Sequence, residues 1–129
     1  MKAAKMTVAC VTYYLVFDGE AMFALRDIYG GTQLALEAIE PDTRESFAAT
    51  CAIAALLAER GELLRRRLGY DSGAIPEKDD FLLAVRPFEI VELKRAIMTA
   101  IELGYGREVT TPGDEIDEGL AELNQKKTR

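Results

Sequence analysis

The feature of this sequence that most constrains its fold is an apolar, alanine-rich stretch near the middle. The segment FAATCAIAALLA, from Phe47 to Ala58, has apolar residues on nearly every side of a helix. Its alanines favour helix formation and allow neighbouring elements to approach closely. A helix that is apolar all round has to be covered on all sides, so this stretch predicts a bundle with this helix at its centre.

Caps and breakers divide the rest of the chain into shorter elements. Residues 6–17 are dense in β-branched and aromatic side chains and contain no Gly or Pro, which predicts one strand or a pair of short strands. Apolar spacing predicts helices over residues 18–30, 32–40, 42–68, 76–85 and 87–104. We expect Thr32 to cap the second helix, Gly61 to kink the third and Pro76 to lie in the first turn of the fourth. The expected fold class is mainly α: a small helical bundle of about four to five helices with a short N-terminal β element.

The composition changes near residue 106. Beyond it Thr, Pro, Gly and acidic residues dominate, and the apolar set is reduced to Ile116, Leu120 and Leu123. This spacing fits only a weak amphipathic helix. We therefore expect a single helical domain over residues 1–106 and a polar, flexible C-terminal tail over residues 107–129. A tail that folds onto a partner is the alternative.

Composition sets limits on partners and location. The 129 residues include 16 Lys and Arg against 22 Asp and Glu, a net charge of -6, and this acidic balance does not favour general binding of nucleic acid. No apolar run reaches the roughly 18 to 20 residues that span a membrane, and the first residues lack the pattern of a signal peptide. We expect a cytoplasmic protein without membrane contact, in which Cys10 and Cys51 are reduced and structural.

The sequence lacks the residues on which most catalytic sites depend. It contains no His and no Trp, which removes His-based acid and base catalysis and most zinc sites. The neighbouring carboxylates of Asp79 and Asp80 diverge by about 100° on a helix, and the acids of residues 114–118 lack the spacing of an EF-hand loop. The glycine pairs follow predicted helices, so they act as stop signals and not as phosphate cradles. We expect no enzymatic activity, no metal and no cofactor.

One concentrated positive surface is present in this acidic chain. Arg65, Arg66 and Arg67 are consecutive, and Arg60 and Tyr70 lie close to them in sequence. Such a group can contact the phosphates of RNA or DNA. It can equally neutralise the carboxyl end of a helix or pair with an acidic surface of another subunit. Packing or protein contact is the favoured hypothesis, because the three arginines fan out over a helix turn without interleaved aromatic residues.

The order of the elements resembles that of a known family. An apolar strand ends in Phe17-Asp18, a first helix ends in LRDIYGG, a long alanine-rich helix follows, and a late helix PFEIVELKRAIMTAIELGYG precedes a polar tail. Over Thr7 to Gly106, this pattern resembles the small tail assembly chaperones of tailed phages and prophages of Gram-positive bacteria. The segment AERGELLRRRLGYDSG departs from the family pattern.

The resemblance implies a mainly helical protein that has no active site. Members of this family form homo-oligomers, whose helical surfaces coat the long tape-measure protein before the tail tube forms around it. The implied partners are copies of the same chain and a tape-measure protein. The partner-binding residues that we expect in this chain are Arg60, Arg65, Arg66, Arg67, Tyr70, Ile116, Leu120 and Leu123. The competing hypothesis is a small helical regulator that binds nucleic acid through its arginines.

Overall fold

The structure, a computed structural model, describes residues 3–106. Within this range the elements are β1 (Ala4–Val8), β2 (Val11–Leu15), α1 (Gly19–Tyr29), α2 (Thr32–Ile39), α3 (Arg44–Arg67), α4 (Lys78–Ala84) and α5 (Pro87–Gly104). These five helices and the two-stranded sheet confirm the expected fold class, a mainly α bundle with a short N-terminal β element. The tail expected over residues 107–129 lies outside the described residues.

The N-terminal β element is a hairpin. β1 pairs with β2 in antiparallel register, and Val8 lies opposite Val11 at the closed end. Ala9 and Cys10 form the two-residue loop between them, and both have positive φ, 50° and 66°. Positive φ at both loop positions is typical of the type I′ turn, in which Asn and Gly are the preferred residues. Because the turn contains neither Asn nor Gly, the sequence alone did not show whether this segment forms one strand or two.

Helix α3 lies at the centre of the fold, as its apolar sequence predicts. Its start is capped by Thr43, whose hydroxyl oxygen accepts a hydrogen bond from the backbone N–H of Ser46 at 3.1 Å. The helix is continuous through Gly61, the position where we expected a kink. A Cβ atom at Gly61 would lie 1.6 Å from the carbonyl oxygen of Tyr14. This glycine therefore allows β2 to lie directly against α3.

The start of α2 differs from the prediction. The helix begins at Thr32, and its N-cap residue is Gly31, which makes no side-chain capping bond. The hydroxyl of Thr32 instead lies 3.0 Å from the hydroxyl of Tyr105, at the end of α5. The capping prediction for Thr32 is therefore wrong, because the helix begins one residue earlier than expected and Gly31 occupies the N-cap position.

The start of α4 also differs. Pro76 precedes the helix, which begins two residues later at Lys78, so its predicted place in the first turn is wrong. The Asp80 carboxylate accepts a hydrogen bond from the backbone N–H of Glu77 at 2.7 Å, and this bond sets the start of the helix. The next helix follows the prediction, with Pro87 as its first residue.

The core is formed where α3 packs against the hairpin, α4 and α5. Its largest fully buried side chains include Leu15, Leu25, Ile53, Leu57, Phe81, Leu93 and Ile97. Two buried hydroxyls within α3 are satisfied, because Thr50 donates to the carbonyl of Ser46 and Ser46 donates to the carbonyl of Ala38, both at 2.7 Å. Within residues 3–106, no helix has the length and apolar character needed to cross a membrane.

Candidate interaction surfaces

A buried carboxylate organises the carboxyl end of α3. Glu62 is only 6% exposed, and it accepts hydrogen bonds from Arg65 Nη1 at 2.6 Å, Arg66 Nε at 2.9 Å and the backbone N–H of Gly73 at 2.6 Å. Burial works to raise the pKa of Glu62, but the hydrogen bonds from Gly73, Arg66 and Arg65 outweigh it, so this pKa lies below its usual value. Glu62 is therefore charged and structural at neutral pH.

Arg65 is held between two aromatic rings as well as by Glu62. Its guanidinium carbon lies 5.2 Å from the ring centre of Tyr14 and 4.9 Å from that of Tyr70. Both distances are within the range of a cation–π interaction. Because Tyr14 belongs to β2 and Tyr70 follows α3, Arg65 fastens the hairpin and the loop after α3 to the same helix.

Two further arginines make ordered contacts. Arg66 donates from Nη2 to the carbonyl oxygen of Gly73 at 2.8 Å, which holds the loop between α3 and α4 on the helix end. Arg60 forms an ion pair with Asp18 at 2.8 Å between Nε and Oδ2. Because the other oxygen of Asp18 caps α1 through the N–H of Ala21, this pair joins the middle of the chain to the start of α1.

The structure divides the predicted arginines between two sites. Arg60 pairs with Asp18, whereas Arg65 and Arg66 share the carboxylate of Glu62, which compensates only one of their two positive charges. Arg67 has an exposed side chain, whereas Tyr70 is buried. Partner binding by this group stays a prediction. The remaining predicted partner residues, Ile116, Leu120 and Leu123, lie outside the described residues.

Large apolar side chains are exposed on α4 and α5. Leu83 is 90% exposed, Phe88 68%, Val91 62% and Met98 48%. The sequence predicted one helix over residues 87–104 but did not separate Phe88 and Val91 from its core-facing residues. A sequence signal for this exposed face was present. Residues 88, 91, 95 and 98 are separated by three, four and three residues, which places them on one face of the helix.

A second set of exposed apolar side chains lies on α1 and α2: Phe23, Ile28 and Leu34. Next to the start of α1 is a cleft of about 290 Å³, lined by Phe17, Asp18, Gly19, Met22, Leu103, Gly104 and Tyr105. The rings of Phe17 and Tyr105 form one side, with their centres 5.5 Å apart. Its single carboxylate, Asp18, already pairs with Arg60. The lining of the cleft is mainly apolar, which suits an apolar side chain.

Among residues 3–106, no group of three or more His, Cys, Asp or Glu side chains is placed to hold a metal ion. Burial raises the pKa of the Cys51 thiol to about 11, against a smaller lowering effect of Lys78. A buried thiol of this kind is protonated at neutral pH and is a poor nucleophile.

Comparison with known proteins gives no relative. No protein-family model matches the chain, and no match is found among curated proteins or among solved structures. The surfaces described above are therefore the basis for assigning a function.

Proposed function

We propose that this protein is a non-enzymatic tail assembly chaperone of a phage or prophage, which oligomerises and shields a tape-measure protein in the bacterial host cytoplasm. The observation that carries the proposal is the exposure of large apolar side chains on two pairs of helices, α1–α2 and α4–α5. A protein that coats a long guest needs one surface for the guest and another for its neighbour in the coat. The order of elements, which resembles that family, supports the same proposal.

The physical requirements of tape-measure shielding match such a protein. A tape-measure chain is long, helical and apolar on one side, so its apolar stripe has to be covered until the tube assembles. Exposed apolar side chains on a helical surface can cover it, as in other cases where a helix docks into a groove. Release requires a modest affinity for each copy, and many copies together supply the overall affinity. The net charge of -6 helps to keep the coated complex soluble.

We place the guest contact on α1 and α2. Phe23 and Ile28 expose apolar side chains on α1, and Leu34 does so on α2. Met22, which lines the 290 Å³ cleft, lies about 100° from Phe23 around the axis of α1, so the cleft is a separate surface. A helical guest with apolar residues on one side can cover the exposed side chains of α1 and α2.

The alternative, a nucleic-acid-binding regulator, has less support from these contacts. Non-specific affinity for phosphates depends on cations that can replace the counterions of the nucleic acid. Arg60, Arg65 and Arg66 are already paired with Asp18 and Glu62. Releasing an arginine from Glu62 would leave a buried carboxylate with fewer donors, which is costly.

Co-expression tests the proposal. The probe is the product of the long reading frame expected next to this gene, produced with and without the chain. We expect the chain to raise the soluble fraction of that product several-fold and to co-purify with it. The double variant Phe23→Glu, Ile28→Glu should lose this effect, because charged side chains cannot cover an apolar stripe.

The matched control is Gln33→Glu, which adds charge at an exposed position of α2 without removing an apolar side chain. It should protect the long protein as well as the original chain does. A neighbouring region without a long helical frame, or a long protein whose solubility does not depend on this chain, would contradict the proposal.

A further inference from the structure

Helix α5 has two faces of different character. Its inward face supplies core residues, namely Leu93, Ala96, Ile97, Ala100 and Ile101. The outer face of α5, defined here as Phe88, Val91, Glu92, Arg95 and Met98, is exposed along its length. At 100° per residue, these five positions cover about 120° of the helix surface. Three large apolar side chains on one exposed face are typical of an interface with another protein.

The two charged residues of this face have opposite signs and sit near its centre. Glu92 and Arg95 are both exposed and are three residues apart. Within residues 3–106, neither forms an ion pair. Phe88 and Val91 precede Glu92 on the helix, and Met98 follows Arg95. The face therefore has apolar groups at both ends and one charge of each sign between them.

We propose that the outer face of α5 binds the same face of a second copy, with the two helices antiparallel around a two-fold axis. If this axis passes between positions 92 and 95, Glu92 of each copy lies opposite Arg95 of the other copy. The same axis brings Phe88 of one copy close to Met98 of the other. A single operation thus pairs opposite charges twice and apolar ends twice.

Self-complementarity is the reason for choosing a second copy as the occupant. In a two-fold interface, a residue that contacts another is contacted by it in return, so one face has to carry both halves of every interaction. The outer face of α5 meets this requirement, because its opposite charges are symmetrically placed about the centre.

This inference names the surface for the self-association that forms part of the proposed function. Its test needs only the purified full chain, so it can fail or succeed independently of any tape-measure protein. Light scattering at micromolar concentrations in about 0.1 M salt should give twice the chain mass of 14.3 kDa. At that salt concentration, closely spaced opposite charges still attract each other, whereas the attraction between more distant charges is screened.

Charge reversal gives a sharper test than loss of a contact. Glu92→Arg would oppose two arginines at each of the two pairs, and Arg95→Glu would oppose two glutamates. Each single variant should dimerise about 100-fold more weakly than the original chain, since attraction is replaced by repulsion at two places. An equimolar mixture of the two variants should recover the dimer, because every opposed pair is again of opposite sign.

Controls separate this result from general effects of charge. Glu37→Arg makes the same change at an exposed position of α2 and should leave the dimer intact. Far-ultraviolet circular dichroism should show unchanged helix content in every variant, because the altered side chains are exposed. A monomeric original chain, single variants that dimerise normally, or a mixture that stays monomeric would each overturn the proposal.

Discussion

Replacing Gly61 by alanine tests the close packing of α3 on the hairpin. The new Cβ atom would lie 1.6 Å from the carbonyl oxygen of Tyr14, so the hairpin and the helix would have to separate by more than an ångström. Overpacking of this kind costs up to about 3 kcal/mol, and the upper end applies because the obstacle is backbone and cannot rotate away. About 1 kcal/mol of this loss is offset, because alanine has a higher helix propensity than glycine. We expect a net loss of about 2 kcal/mol.

Chemical denaturation followed by circular dichroism measures this loss as a lower midpoint with an unchanged slope. In thermal unfolding the same loss lowers Tm by about 10 °C for a domain of this size. Gly19→Ala is the matched control, because a Cβ atom there meets nothing within 4 Å, and it should leave stability the same or slightly higher. A Gly61→Ala variant as stable as the original chain would refute the close approach between α3 and β2.

Glu62→Gln should destabilise the fold by about 3 kcal/mol, because two arginines lose a charged partner. Folding lowers the pKa of Glu62 below its usual value of 4.5. The stability that the charged Glu62 contributes is therefore complete above pH 4.5 and is lost as the pH falls through the lowered pKa. In acid unfolding, the stability of the Glu62→Gln variant should fall less steeply with pH than that of the original chain. The double variant Ala9→Asn, Cys10→Gly should raise stability by about 1 to 2 kcal/mol, measured by denaturation, because both residues have positive φ. Alkylation at pH 8 followed by mass spectrometry should modify Cys10 in the native chain but Cys51 only after unfolding, because Cys51 is buried and its pKa is raised to about 11.

Local signals in the sequence were sufficient for most of the helices. Asp18 precedes α1 and Gly30 follows it, and the structure shows Asp18 capping the helix and Gly30 at φ 96°. Pro87 opens α5 as its fixed φ predicts. These features act over a few residues, so they can be recognised without knowledge of the fold. The predicted cap at Thr32 was wrong by one residue, because Gly31 is the N-cap and Thr32 is already the first residue of α2.

The role of the arginines was only partly accessible from the sequence. Glu62 lies three and four residues before Arg65 and Arg66, a spacing that favours ion pairs on a helix, and this signal could have linked them. The pairing of Arg60 with Asp18 spans 42 residues, and no local rule indicates it. The same limit applies to Gly61, because the approach of Tyr14 depends on how the hairpin folds back onto α3.

Helix α4 offers a direct test of the idea that apolar residues outside the core serve association. Phe81 and Leu83 are two residues apart, yet Phe81 is 1% exposed and Leu83 is 90% exposed. Phe81 also packs edge-on against Tyr13, with ring centres 5.1 Å apart. Phe81→Ala should therefore cost about 3 to 5 kcal/mol of unfolding free energy, whereas Leu83→Gln should change it by less than about 0.5 kcal/mol.

The two variants separate stability from interaction because they alter opposite sides of one short helix. If Leu83 serves self-association, Leu83→Gln should keep the denaturation midpoint while weakening the contact between copies of the chain. Phe81→Ala should lower the midpoint first and affect binding only through unfolding. Equal losses of stability in both variants would mean that Leu83 belongs to the core, and the apolar surface on α4 and α5 would then be smaller than the exposed side chains indicate.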